Sequence, residues 1–252
     1  MPFSFVYFQE FENVLSGFNI IMFFECLFLD CYLGCVSMFG IVYMGNYKDE
    51  EQLIRGRSLP EGSIQFREGV SLNEIFLKSF VIMLPIVLVM IIISLKRCSQ
   101  LNRKMSVDIY FLIVLIITSI ICWILRYVHE IIHAILYSRN AEKTIWKDVK
   151  QGIIFLYCNE SVSKTRFIII NVAPSIILGI IPFVIWIFVI PYIDIKVGIG
   201  WLLISWYMTV FSMGDYFNIY NAIKQVPKDA IIFNYGMHSY WRRNMPTGNE
   251  NL

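Results

Sequence analysis

The chain has 252 residues, 57% of them hydrophobic and only 16% charged, with a formal net charge of +2. An ordinary soluble domain carries about 25% charged residues, so with a mean hydropathy of +0.62 the composition excludes a soluble core and points to a polytopic membrane protein. So small a net charge, with no basic stripe interleaved with aromatics, also excludes a nucleic-acid partner.

The chain opens MPFSFVYFQEFENVLSG. No basic residues precede its apolar part, and Glu10 and Glu12 lie within it, so it reads as a poor signal peptide. Residues 1–46 form an N-terminal apolar segment. Within it Gly17–Gly45 is apolar and aromatic but interrupted by Glu25 and Asp30. Acids near the middle of a span are costly, and a fifth membrane span, a re-entrant piece and an interfacial helix all fit. Residues 47–78 are a polar juxtamembrane segment with a turn at Pro60-Glu61-Gly62.

Residues 79–215 hold four runs long enough to cross a bilayer, which takes about 17–25 apolar residues. The first is Ser79–Leu95, closed by Lys96 and Arg97. The second starts at Ile109, runs uncharged to Leu125 and continues to Tyr137. The third, Phe167–Ile193, holds Pro174, Pro182 and Pro191, where kinks are expected. The fourth is Val197–Met213, followed by Gly214 and Asp215, and only Asp194-Ile195-Lys196 separate it from the third. Residues 216–252 read as a cytoplasmic tail with a frayed end at Asn244–Leu252. The expected fold class is therefore an all-α polytopic membrane protein with four core transmembrane helices.

The six cysteines, Cys26, Cys31, Cys35, Cys98, Cys122 and Cys158, form no CxxC pair. They read as reduced or lipid-buried thiols rather than a disulfide framework. With four spans, residues 46–78, 138–166 and the tail share one side and carry fifteen Lys and Arg, against five in 96–108 and the hairpin. The positive-inside rule places the richer side in the cytoplasm.

The stretch Ile124–Tyr137, ILRYVHEIIHAILY, sets an arginine, two histidines and a glutamate inside an apolar helix. Each charged group there costs roughly 2.5–3.5 kcal/mol. His129-Glu130-Ile131-Ile132-His133 is an HExxH motif on the second span. At about 100° per residue the two imidazoles share one helical face, one turn apart. That spacing suits one tetrahedral zinc, with Glu130 beside it to take a proton from water. Two ordinary polar residues at a membrane edge are the blander reading, but flanks of ILRYV and AILY make solvation a poor explanation.

A zinc site needs a third protein ligand. The second and fourth spans run in the same direction, and His129, His133 and Asp215 lie about twenty to twenty-five residues along them. Shared depth toward the cytoplasmic end makes Asp215 the expected ligand, with Gly214 allowing close approach. His238 is the main rival and Glu160 a weaker one. Arg126, one turn before the motif, can pair with Glu130 or Asp215, stabilise an oxyanion or snorkel to an interface. Asn171 and Pro174, in NVAPS, either kink the third span or break it to expose carbonyls to a substrate strand. Tyr235, Tyr240 and Trp241 read as an interfacial belt.

HEIIH on a membrane helix, NVAPS on the next and SMGDYFNIYNAIKQVPKDAIIFNYGMHSYW after it resemble the zincin peptidases of bacterial membranes, a family described chiefly as a domain of unknown function. The resemblance covers about residues 58–243. That family is similar in turn to site-2 proteases, which are intramembrane zinc enzymes. The resemblance implies His129, His133 and Asp215 as metal ligands, Glu130 as general base and Zn²⁺ as cofactor. The usual Asn-Pro-Asp-Gly around the aspartate is absent, since Gly214 precedes Asp215 rather than following it. The function expected is an integral membrane zinc metallopeptidase of the bacterial plasma membrane, cutting a membrane-bound or membrane-proximal peptide near the cytoplasmic side. A metal carrier or sensor without proteolysis, and an accessory subunit with a vestigial motif, are the other readings.

Overall fold

The computed structural model describes residues 40–69, 72–101, 103, 105–149 and 153–243. The strands and helices in chain order are β1 (Ile41–Asn46), α1 (Glu51–Ile54), β2 (Ile64–Gln65), α2 (Leu72–Leu101), α3 (Ile109–Leu136), β3 (Lys143–Asp148), β4 (Ile153–Cys158), β5 (Val162–Ser163), α4 (Lys164–Pro174), α5 (Ile181–Val189), α6 (Ile195–Phe211), α7 (Met213–Gln225), β6 (Ala230–Tyr235) and β7 (His238–Arg243). Two units emerge. One holds the residues up to Glu68, His133–Ile170 and Asn218 onward; the other holds Gly69–Ile132 and Asn171–Phe217.

The second unit is helical. Three helical stretches, Glu74–Leu101, Ile109–Leu136 and Lys164–Tyr192, are long and apolar enough to cross a membrane. At about 1.5 Å per residue, the 28 residues of α3 exceed the roughly 30 Å hydrocarbon core. Much of their apolar surface faces outward: Ile92 and Leu95 of α2, Ile116 and Ile117 of α3 and Phe188 of α5 are all exposed. Apolar exposure on that scale marks a lipid or partner face. The fourth apolar run is the bent pair α6–α7, which turns by 42° at Ser212 and counts as one span only if the two are taken together.

Each proline of the third run marks a change of helix type. Pro174 closes α4 and a π-helical turn, Ser175–Ile180, follows it. Pro182 is the second residue of α5, directly after the π turn. Pro191 lies in the 3₁₀ turn Ile190–Tyr192 that ends the run. Gly179 belongs to the π turn, and a Cβ there would stand 2.4 Å from Thr209 Oγ1 and 3.1 Å from Thr209 N. Only glycine lets this turn lie against α6. Met90, Phe183, Trp186, Ile190 and Leu202 form the core of the unit. Trp186 Nε1 donates to Gly198 O at 2.7 Å. Arg97 Nε donates to Ile187 O at 2.9 Å, a carbonyl whose helical partner four residues on would be Pro191. The short loop before α6 is capped by Asp194, which accepts from Lys196 N and Val197 N, worth about 1 kcal/mol.

The first unit corrects the all-α expectation, because residues 47–78, the segment 138–166 and the tail supply strands. One sheet has the order β1-β3-β4, with β1 parallel and β4 antiparallel to β3. The other has the order β2-β7-β6-β5 and is antiparallel throughout. The three polar segments are thus knitted together by strand pairing. Leu53, Trp146 and Phe155 make one small core, and Phe66, Val162, Phe167, Ile170, Ala222, Val226, Ala230 and Ile232 another. Tyr235, Tyr240 and Trp241 are strand residues. Tyr235 meets Tyr240 edge-on at 6.0 Å, and Trp241 packs against the second core. Residues 17–39 of the N-terminal apolar run and the tail end from 244 lie outside the described residues, and the last part of that run is strand β1. The helix of the first span starts at Leu72 rather than Ser79, its two added turns carrying a Glu74–Lys78 ion pair of 2.5 Å.

Cys98, Cys122 and Cys158 are free thiols, as expected. Cys158 is 1% exposed on β4, and burial pushes its thiol up to about 11. With so little thiolate, maleimide labelling of Cys158 at pH 7.5 should run at least about 100-fold slower in the folded protein than after denaturation. Equal rates by mass spectrometry would mean that this sheet is not formed.

Candidate metal centre

Helix α3 runs unbroken through the polar quartet because nothing in ILRYVHEIIHAILY breaks a helix: no glycine, no proline, and apolar residues throughout. His129, Glu130 and His133 are 3%, 6% and 9% exposed. The end of α3 is held soon after His133. Arg166 Nη2 donates to Leu136 O at 2.9 Å, and the Glu160 carboxylate accepts from Ser138 N at 2.8 Å and from the Ser138 hydroxyl. Cationic donors at a helix C-terminus satisfy carbonyls that the helix cannot.

His133 has a defined orientation. Its Nδ1 lies 2.9 Å from Ile170 O. A carbonyl only accepts, so Nδ1 carries the proton and Nε2 keeps the lone pair a metal requires.

Asp215 arrives from the other side of the sequence. Helix α6 ends at Phe211, Ser212 caps it, and α7 begins at Met213. Asp215 therefore sits in the first turn of a new helix rather than the last turn of a span. A negative side chain is favoured at that end of the helix dipole. Its Oδ2 lies 3.1 Å from His129 Nε2. The His129 ring meets Phe211 edge-on at 5.0 Å.

His129, His133 and Asp215 each offer one ligand atom, and these atoms lie within 4.8 Å of one another. Four-coordinate zinc with legs of about 2.0–2.2 Å sets its ligand atoms roughly 3.3–3.6 Å apart. The observed 3.1 Å His129–Asp215 separation is close to that edge. Two imidazole nitrogens and one carboxylate oxygen form a donor set that fits zinc and leaves a fourth position open.

The rival ligands have other occupations. Glu160 holds the end of α3, as above. His238, on β7, has its Nδ1 3.1 Å from Glu68 Oε2. Neither joins the group of candidate ligands found among the described residues. Arg126 lies with its guanidinium 5.9 Å from the centre of the Trp123 ring. Asn171 is buried on α4. Two residues escaped sequence reasoning. Ile170 acts through a backbone atom, which side-chain chemistry cannot announce, although Pro174 four residues on is a trace of it. Arg166 looked like one more basic residue of a polar loop.

Residues 120–231 match the family described as "Putative zincin peptidase". The stretch contains the HExxH motif, NVAPS and Asp215 and is narrower than the 58–243 expected. The family resemblance read from those motifs is thus borne out, and it implies a metallopeptidase with zinc as its cofactor. No curated protein and no solved structure matches the chain.

Metal analysis of purified variants tests the ligand set. Asp215→Ala should lower bound zinc to well below the wild-type content, whereas His238→Ala and Glu160→Gln should leave it unchanged. The opposite pattern would move the third ligand to the residue whose loss empties the site.

Proposed function

We propose that the protein is an integral membrane zinc metallopeptidase that hydrolyses peptide bonds of a membrane-bound or membrane-proximal substrate. The observation that carries this reading is the meeting of His129 and His133, on a helix long and apolar enough to cross a bilayer, with Asp215 from the first turn of α7 and with Glu130 next to His129. Solvated polar residues at a helix edge would not be this buried, nor converge from segments some eighty residues apart.

His129 Nε2, His133 Nε2 and Asp215 would hold the ion. Zinc, when bound, lowers the pKa of a coordinated water toward about 7 and polarises a carbonyl. The remaining steps belong to the chain. Glu130, next to His129 and turned about 100° from it, takes the proton of the attacking water. It then gives that proton to the leaving amine. The apolar surroundings keep competing bulk water away from the carboxylate. The substrate backbone has to unwind locally, because a helical peptide hides the bond to be cut.

The arrangement is of the site-2 protease type in its logic: an HExxH helix joined by an aspartate from a later helix. The protein acts in the bacterial plasma membrane. Its polar unit faces the cytoplasm, since the segments it draws together carry the excess of lysine and arginine.

Glu130→Gln separates catalysis from metal binding. Zinc content should be unchanged, while cleavage of a lipid-embedded peptide should fall by roughly 10²–10⁴-fold, the usual contribution of a positioned general base. Wild-type turnover by the variant would rule out the mechanism. Wild-type protein that takes up zinc in proteoliposomes but cuts nothing would favour a carrier instead.

A further inference from the structure

The hydrogen bond between His133 and Ile170 has a cause in the sequence. In an α-helix, the carbonyl of residue i accepts from the N–H of residue i+4. For Ile170 that residue is Pro174, the last of α4, and proline has no N–H. The Ile170 carbonyl is therefore denied its helical donor in a place where water cannot replace it, because Ile170 is 2% exposed. His133 Nδ1–H, at 2.9 Å, occupies it. The chain solves the same problem in the same way at the other end of this run. Pro191 withholds its N–H from the Ile187 carbonyl, and a side chain, Arg97 Nε, donates there instead.

We infer that Pro174 is a positioning residue for the metal centre: by withholding one backbone donor, it makes Ile170 O the acceptor that fixes both the tautomer and the aim of His133. The inference rests on the metallopeptidase reading for its purpose, though not for its test. A proton held on Nδ1 leaves Nε2 bare and fixes the ring plane, so the imidazole need not choose between tautomers when the ion arrives. A residue with an N–H at 174 would compete for the same carbonyl and release the ring.

The test uses the full chain in detergent or nanodiscs. With only three histidines in the protein, ¹⁵N-histidine spectra can be assigned with the aid of His238→Ala. In metal-free wild type at a pH where imidazole is neutral, His133 should show the Nδ1–H tautomer. In Pro174→Ala it should show a mixture, and zinc affinity by chelator competition should weaken about 10–100-fold, the usual cost of losing a partner that orients a metal-binding histidine. Replacing Pro174 by lactic acid, which has neither ring nor N–H, should restore both readouts. Pro191→Ala should leave zinc affinity unchanged. An Nε2–H tautomer in wild type, an unaltered Pro174→Ala, or a lactate variant as weak as alanine would each overturn the inference. Should Pro174→Ala fail to fold, the wild-type tautomer and the lactate variant still decide. Wild type that binds no zinc yet shows the Nδ1–H tautomer would sink the metallopeptidase reading and leave the Pro174 assignment standing.

Discussion

A polar atom surrounded by hydrocarbon has to find its partner within the protein, since no water is there to serve. That constraint orders the helical part of this molecule. Buried hydroxyls of Ser79, Ser94, Ser205, Thr209 and Ser212 bond the carbonyl one turn back on their own helix. Trp186 reaches Gly198, and Arg97 reaches Ile187. His133 reaches Ile170, and His129 lies beside Asp215. The serine, threonine, Trp186, Arg97 and His133 groups are each fixed in direction by the partner that makes them tolerable. The same requirement that limits polar residues in an apolar helix also supplies the rigidity a metal centre needs.

The two histidines of α3 use this rigidity differently. His133 is oriented by a backbone atom and so depends on helix geometry. His129 Nε2 instead faces a side chain, Asp215, that is itself a candidate ligand, with 3.1 Å between Nε2 and Oδ2. Asp215 owes its position to the bend at Ser212: a straight continuation of α6 would carry it onward along the span axis. The break places a carboxylate in the first turn of α7, where unsatisfied N–H groups favour negative charge. The motif supplies two of the three candidate ligands, and a helix interruption some eighty residues later supplies the third.

The long helices and the metal group could be read from the sequence. The second span begins at Ile109 in both reading and structure, and its end differs by a single residue, because twenty or more apolar residues leave few alternatives. His129, His133 and Asp215 were expected to meet because helical rise alone sets them at similar depth. The strands were not legible. β3, β4, β6 and β7 have six residues each, and β2 and β5 only two. Short apolar runs such as IIFLYC and AIIFNY cannot be assigned by periodicity, and beside long spans they read as connecting loops. The partner of β7 in β2 lies some 175 residues earlier, a pairing that no local pattern signals. The helix break before Asp215 was missed for a different reason. SMGD looks like the exit of a span, and only tertiary packing makes it the entrance to another helix.

The way the strands are shared out has a consequence for how the protein is made. Sheet β2-β7-β6-β5 draws its strands from ahead of the first span, from between the second and third, and from beyond the last. Loop closure over such separations is slow, and β7 is the last of the described strands to be synthesised. Until it is, β2 and β6 each present an unpaired edge. A chain clipped before His238 would keep every apolar helix and the β5–β6 pair but lack the strand that joins them to β2. Its bare edges would be open to pairing with other chains.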